Sequence, residues 1–183
     1  MKLSASAIVI MGISGCGKST LGQCLSDATG YLFIEGDNLH TAENIAKMSA
    51  GRPLTDEDRW PWLERVANIL QDGRGSADGA GRIVSCSALK RSYRDMLRSR
   101  VGDELLFIYP KVSIDLAQSR LRNRPNHYMP PSLLESQMAT LEAPTSGENV
   151  LTLDGAANLA QSVNLILGYL TLPSEINTPA TPN

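Results

Sequence analysis

Five short apolar runs punctuate the chain: Ala7 to Met11, Tyr31 to Ile34, Arg82 to Cys86, Leu105 to Tyr109 and Val150 to Leu153. Each is nearly continuous instead of alternating with polar residues, the pattern of strands covered on both faces, so they read as buried strands of a parallel sheet. Between them the apolar spacing becomes helical. Leu21, Cys24, Leu25 and Ala28 fall at i, i+3, i+4 and i+7, and Leu159, Val163, Ile166, Leu167 and Leu170 repeat that spacing late in the chain. Strands alternating with helices imply βαβ units with right-handed crossovers, hence an α/β fold.

The connection between the second and third strands is longer than one crossover helix needs. It reads as two helices, roughly Thr41 to Ser49 and Asp56 to Gln71, with Thr55 as a cap and Pro61 either starting or kinking the second. Asp72 to Gly81, rich in glycine, reads as a flexible loop. Arg124 to Pro131 interrupts two helical stretches with prolines and an Asn and reads as a mobile flap. Beyond Leu172 the apolar periodicity ends, so residues 173–183 read as a disordered tail. With 183 residues in all, residues 1–172 form one domain: enough chain for a single core, too little for two ordinary ones.

Charge narrows the partners. The 17 Lys and Arg are dispersed among 19 Asp and Glu, for a formal charge of -2, so no basic field exists to attract nucleic acid. No run approaches the roughly 20 apolar residues that span a bilayer, and the apolar run after Lys2 is too short for a secretory signal. Cys16, Cys24 and Cys86 form no CxxC pair, and with only His40 and His127 beside them no zinc spacing arises. A reduced, cytoplasmic protein is expected.

The chemistry enters at Gly12-Ile13-Ser14-Gly15-Cys16-Gly17-Lys18-Ser19, which matches GxxxxGK[ST] in full between an apolar strand and an amphipathic helix. In such a P-loop the glycines let successive backbone N–H groups turn inward around phosphates, the helix N-terminus adds its positive end, and Lys18 supplies a mobile cation. Residues Gly12 to Thr20 are therefore expected to hold ATP, with Ser19 ligating Mg²⁺. Cys16 reads as a tolerated small residue; its place at a helix N-terminus also admits a redox-sensitive thiol.

Ligands of an open parallel sheet bind beyond the carboxyl ends of its strands. Strand two ends in Glu35-Gly36-Asp37, followed by His40, which directs Asp37 and His40 at the space facing the P-loop. A carboxylate there can accept the proton of an attacking hydroxyl or hold a water of Mg²⁺; capping the next helix is its ordinary alternative. Glu35 either points away or pairs with a surface cation. The loop Asp154 to Ala157, after the fifth strand, is a place for adenine contacts.

Several stretches resemble the gluconokinase family: Gly36-Asp37-Asn38-Leu39-His40, Asn44 to Met48, Gly51 to Leu63 including Arg59-Trp60-Pro61-Trp62, and Cys86 to Asp95 including Lys90 and Arg94. The similarity runs on through His127 and Gln137. It implies a P-loop kinase fold with a central five-stranded parallel sheet flanked by helices, an acceptor-binding helical segment at about 38–72, a lid at about 120–137, and a homodimer. It also implies transfer of the ATP γ-phosphate to O6 of D-gluconate. Two departures stand out: Glu35 where the family often has Asp, and Cys16 where it often has Ser or Ala. Neither removes a group the chemistry needs.

Gluconate carries a carboxylate at one end and the reacting hydroxyl at the other, so its site needs a cation and fixed polar groups. Arg59, Lys90 and Arg94 are the candidate cations, the last two at i and i+4 on the helix expected after strand three. His40, His127 and Gln137 are candidates to read the polyol, whereas Trp60 and Trp62 read as packing residues. Beside the flap, Arg120 and Arg124 share one helical face and can reach the transferring phosphoryl group, the part of an arginine finger. Lys18, Asp37, Arg120 and Arg124 form the expected catalytic set. The rivals are another acceptor on the same scaffold, such as shikimate or a nucleoside monophosphate, and a nucleotide-dependent switch without acceptor turnover.

Overall fold

The computed structural model describes residues 3–73, 81–123 and 131–171. Residues 124–130 of the expected flap at 124–131, most of the glycine-rich loop and the expected tail lie outside the described residues. Five strands, β1 (Ala7–Ile10), β2 (Leu32–Glu35), β3 (Arg82–Ser85), β4 (Leu105–Lys111) and β5 (Val150–Asp154), pair in the order β2-β3-β1-β4-β5. All four pairings are parallel. Seven helices accompany them among the described residues: α1 (Lys18–Thr29), α2 (Ala42–Ser49), α3 (Asp56–Asp72), α4 (Arg91–Val101), α5 (Ile114–Arg122), α6 (Pro131–Thr140) and α7 (Leu159–Thr171).

Each strand residue serves one face of the sheet in turn, which is why continuous apolar runs are needed. Ile8 and Ile10 of β1 join Ile83, Leu106 and Ile108 against Leu21 and Leu25 of α1 and Ile166 and Leu170 of α7. Ala7 and Val9 point the other way, with Val84, Leu105 and Phe107, against Trp62, Leu63, Val66 and Leu70 of α3 and Tyr93, Leu97 and Val101 of α4. The expectation of full burial fails at β2, where Leu32 is 54% exposed. That strand forms one edge of the sheet and has a neighbour only on β3. On α1 the buried positions are Leu21, Gly22 and Leu25, and Ala28 faces outward.

Local chemistry sets the helix ends. Thr41 caps α2 by accepting from the Asn44 N–H at 3.2 Å. Thr55 opens α3 with a reciprocal box: its hydroxyl accepts from the Asp58 N–H, and the Asp58 carboxylate accepts from the Thr55 N–H at 3.0 Å. Pro61 neither starts that helix nor ends it; it lies within it. A third, smaller cluster of Ile13, Cys16, Leu89, Ala117 and Leu134 joins the loop before α1 to α5, α6 and the loop after β3 at the carboxyl ends of the strands.

Candidate active site

The segment between β1 and α1 forms a cradle. Gly12, Gly15 and Gly17 stand at φ +123°, +81° and +101°, which turns backbone N–H groups toward a common centre. Gly15 has a second reason to lack a side chain: a Cβ there would lie 2.5 Å from the Ala117 carbonyl oxygen of α5. Lys18 folds back over the loop, its Nζ donating to the Gly12 and Ile13 carbonyls at 3.1 and 3.0 Å. The ammonium is thereby held over the cradle with no carboxylate to neutralise it among the described residues.

The cradle opens into a cleft of about 520 Å³ lined by Ser14 to Leu21, Glu35, Asp37, Arg120 and the Asp154–Gly155 turn, among others. Arg120 bridges its two walls, donating through Nη1 to the Cys16 carbonyl at 3.3 Å and through Nη2 to the Gly155 carbonyl at 2.7 Å. Its guanidinium is thus fixed beside the phosphate loop, on the helix where the arginine pair was expected. Arg124 and His127 lie outside the described residues. Asp154, Gly155 and Ala157, expected near the adenine, do line the cleft.

Opposite the cradle, a 3-10 turn at Gly36–Leu39 carries Asp37. Two side chains of α3 secure this turn: Trp62 Nε1 donates to the Gly36 carbonyl at 2.8 Å and Arg65 Nε to the Leu39 carbonyl at 2.7 Å. Trp62 is buried, as a packing residue should be. Gly36 lies so close to the Ser85 carbonyl that no Cβ fits. Its N–H donates to Ser85 Oγ at 3.0 Å, and that hydroxyl donates in turn to Glu35. Glu35 therefore faces the cleft with Asp37 and does not point away.

The donor set fits a magnesium nucleotide. The Ser19 hydroxyl and the Glu35 and Asp37 carboxylates share the cleft with the cradle, and no cluster of three or more protein metal ligands exists among the described residues. A hard cation held chiefly by phosphate oxygens needs no more.

The acceptor side is built from charges in separate segments. His40 stacks on Trp62 with ring centroids 4.3 Å apart. Burial, reinforced by the Arg59 and Arg65 charges and opposed by Asp37, lowers its pKa to about 4. Lys90 Nζ contacts both oxygens of Asp56 at 2.8 Å, and the Tyr93 hydroxyl donates to the same carboxylate. Those two bonds hold the Asp56 pKa below the usual carboxylate range. Arg59 and Lys90 flank the Tyr93 ring at 5.9 and 5.6 Å from its centroid. Arg59 donates through Nε to the Leu54 carbonyl, and its terminal nitrogens make no hydrogen bond among the described residues.

Two expectations need correction. Lys90 is not in the helix with Arg94; it is the N-cap of α4, in extended conformation, so the pair does not share a helical face. Arg94 does not present to a ligand at all. It is 0% exposed, with Nε and Nη2 on the two oxygens of Glu148 at 2.6 and 3.1 Å and Nη1 on the Ala88 and Leu89 carbonyls at 3.2 Å each. Gln137, expected on the polyol, has its Oε1 on the Ser14 N–H of the phosphate loop at 2.7 Å. Asp56, Tyr93 and Glu148 went unrecognised in the sequence because each acquires its partner across tens of residues of chain.

A phosphate cradle with a lysine folded over it, facing a carboxylate across a cleft on a parallel five-stranded sheet, defines a P-loop kinase. A family model described as shikimate kinase matches residues 14–151. Gluconokinase of Gluconobacter oxydans (strain 621H) is 45% identical over 157 residues, covering 85% of each chain. The probable gluconokinase of Schizosaccharomyces pombe is 44% identical over 149 residues, covering 79% of this chain and 77% of that one. The crystal structure of a gluconokinase from Sinorhizobium meliloti 1021 superposes with a TM-score of 0.81 at 45% identity, covering 93% of both chains. The chain belongs to the gluconokinase family, on the scaffold that the shikimate kinase model describes, and it is a kinase.

Proposed function

We propose that the chain transfers the γ-phosphate of Mg²⁺-ATP to O6 of D-gluconate, giving 6-phospho-D-gluconate and ADP. The observation that carries this reading is the state of the three candidate cations. Arg94 is consumed by Glu148 and Lys90 is held by Asp56, but Arg59, with Nε on the Leu54 carbonyl and its guanidinium beside the Tyr93 ring, keeps its two terminal nitrogens without a carboxylate among the described residues. A planar fork without a carboxylate partner suits the carboxylate of a sugar acid, which it can bind through two parallel hydrogen bonds. The charges of Asp37, Lys18 and Arg59 all act on the buried Cys86 thiol just beyond β3, which supports placing the three in one neighbourhood. An acceptor anchored at Arg59 would have its far, hydroxyl end toward Asp37 and Lys18.

In this reading Asp37 orients the O6 hydroxyl and takes its proton as the oxygen attacks in line. Lys18 and Arg120 offset charge on the phosphoryl group, with Arg124 joining them from the lid. Bound Mg²⁺ would neutralise charge on the β- and γ-phosphates, held by the Ser19 hydroxyl. His40, neutral near pH 7, His127 and Gln137 complete the acceptor and lid contacts, and Lys90 reads a hydroxyl while bound to Asp56. Closure of the lid segment around residues 120–137 would exclude water from the phosphoryl group and suppress ATP hydrolysis. The reading extends to a homodimer, supported by the family resemblance, and to a reduced cytoplasmic setting, supported by three free thiols. No helix among the described residues is long and apolar enough to cross a membrane.

The family model favours shikimate as the rival acceptor. A coupled ADP-release assay with gluconate, shikimate and nucleoside monophosphates separates the two, and phosphorus NMR of the product locates the new ester. Gluconate is expected to give the highest kcat/KM and a phosphate on its terminal carbon. Faster turnover with shikimate or a nucleotide, or an ester elsewhere on gluconate, overturns the reading.

A further inference from the structure

The loop between β3 and α4 touches both halves of the site. At one end the Ser87 carbonyl accepts the N–H of Gly12, the first glycine of the phosphate cradle, at 3.1 Å. At the other, Lys90 holds Asp56 on α3. Between them Ala88 stands at φ +41°, the one non-glycine residue with positive φ among the described residues. In that region Cβ crowds the neighbouring carbonyl, so an alanine adopts it only when the surroundings impose it.

Arg94 supplies the constraint. Its Nη1 holds the Ala88 and Leu89 carbonyls together, while Nε and Nη2 grip Glu148. Glu148 is itself fixed by the Thr145 N–H at 3.0 Å, and the Leu89 carbonyl takes a further N–H from Glu142 at 2.9 Å. Burial raises the Glu148 pKa, but the Arg94 hydrogen bonds and the Thr145 N–H outweigh it, and the carboxyl is held below its ordinary value. A buried ion pair is a weak source of stability, since apolar residues of similar volume often do as well. Apolar residues would, however, leave the buried Ala88 carbonyl without its Arg94 donor and the Leu89 carbonyl with only the Glu142 N–H. The pair's specific product is therefore the shape of the loop.

The geometry points to Arg94 and Glu148 as positioning residues that clamp the Ser87–Lys90 loop in its left-handed turn and so set where the acceptor meets the phosphate cradle. This rests on the reading of gluconate as the acceptor lying against that loop. Neither residue touches a reacting atom; both act through the backbone of residues 88 and 89.

A mutant cycle between positions 88 and 94 tests the clamp. Arg94→Lys keeps a cation for Glu148 but cannot also span the two carbonyls. Ala88→Gly makes the left-handed turn accessible without help. The expected result for Arg94→Lys is a rise of about tenfold in the gluconate KM, the scale on which a residue with a Cβ disfavours this region, with the ATP KM changed less than about twofold. Ala88→Gly alone should change the gluconate KM less than about twofold, yet in the Arg94→Lys background it should recover most of the loss. Equal effects of Ala88→Gly in both backgrounds, or equal rises in both KM values from Arg94→Lys, overturn the proposal. If Arg94→Lys does not fold, Glu148→Gln takes its place in the same cycle. Amide hydrogen exchange over residues 86–91 decides independently of the acceptor: protection lost in Arg94→Lys and regained with Ala88→Gly supports the clamp, and unchanged protection refutes it. Failure of wild-type turnover on gluconate would count against the proposed substrate, leaving the exchange result to judge the clamp.

Discussion

The two sides of the cleft are made in different ways. The nucleotide side is one continuous stretch, Gly12 to Thr20, whose binding groups are mainly backbone N–H groups presented by glycines at positive φ. The acceptor side draws on the 36–40 turn, the start of α3 and the loop before α4, and its groups are charged side chains that mostly hold one another. A backbone cradle is specified by conformation, so it binds the same phosphates on many scaffolds. A side-chain site is specified by which charges remain uncommitted after folding. Of the three cations expected to anchor the acceptor, Arg59 alone has no carboxylate partner among the described residues.

The comparison predicts effects of different kind and size. The largest is expected from Lys18→Ala, which removes the ammonium folded over the cradle. Turnover should fall by about two to three orders of magnitude, as for loss of a preorganised charge at a developing transition state. The thermal midpoint should barely move, because the lysine holds only two loop carbonyls. Near-normal turnover would show that the cradle's backbone suffices.

Next come Asp37→Asn and Arg59→Ala, read together by steady-state kinetics. Asn keeps the size of the side chain but cannot take a proton, so kcat should drop by about a hundredfold with the gluconate KM little changed. Arg59→Ala removes a contact to a carboxylate whose charge is constant through the reaction. The gluconate KM should rise by about tenfold or more, the scale of a charged hydrogen bond, with kcat nearly preserved. A reversed pattern would mean that the division between chemistry and anchoring is wrong.

How much of this was legible in the sequence follows the same divide. The five strands, the long helical excursion before β3 and the phosphate cradle all rest on local signals: continuous apolar runs, helical spacing and a contiguous motif. Each appears in the structure within a residue or two of its expected place. Thr55 as a cap was equally local, and its capping box is present. Arg94 was misread because its fate is set by Glu148, 54 residues away, and no local pattern announces a buried ion pair. Lys90 was misplaced by only one residue, but that residue is the boundary of α4, and helix geometry cannot be extended across a cap. Glu35 turned inward because Ser85, on the neighbouring strand, gives it a hydrogen bond that strand alternation alone does not reveal.

The smallest expected effect tests whether the acceptor side is already arranged for a neutral ligand contact at His40. Burial lowers this pKa from its ordinary value of 6.5 to about 4, with the nearby arginines adding to the shift and Asp37 opposing it. Between those two values the unfolded chain binds a proton that the folded protein refuses. Stability therefore rises with pH across the window and is lost as pH falls from 6.5 toward 4. Its full contribution is present above the unfolded value, so none of this dependence should appear at neutral pH. His40→Phe keeps a flat ring against Trp62 but cannot titrate. The thermal midpoint of the wild type, followed from pH 8 to pH 4, should decline more steeply than that of the variant below about pH 6.5, with the two curves parallel above pH 7. Parallel curves throughout would mean that His40 takes up its proton as readily in the folded protein as in water, and that its imidazole is not held neutral for the acceptor.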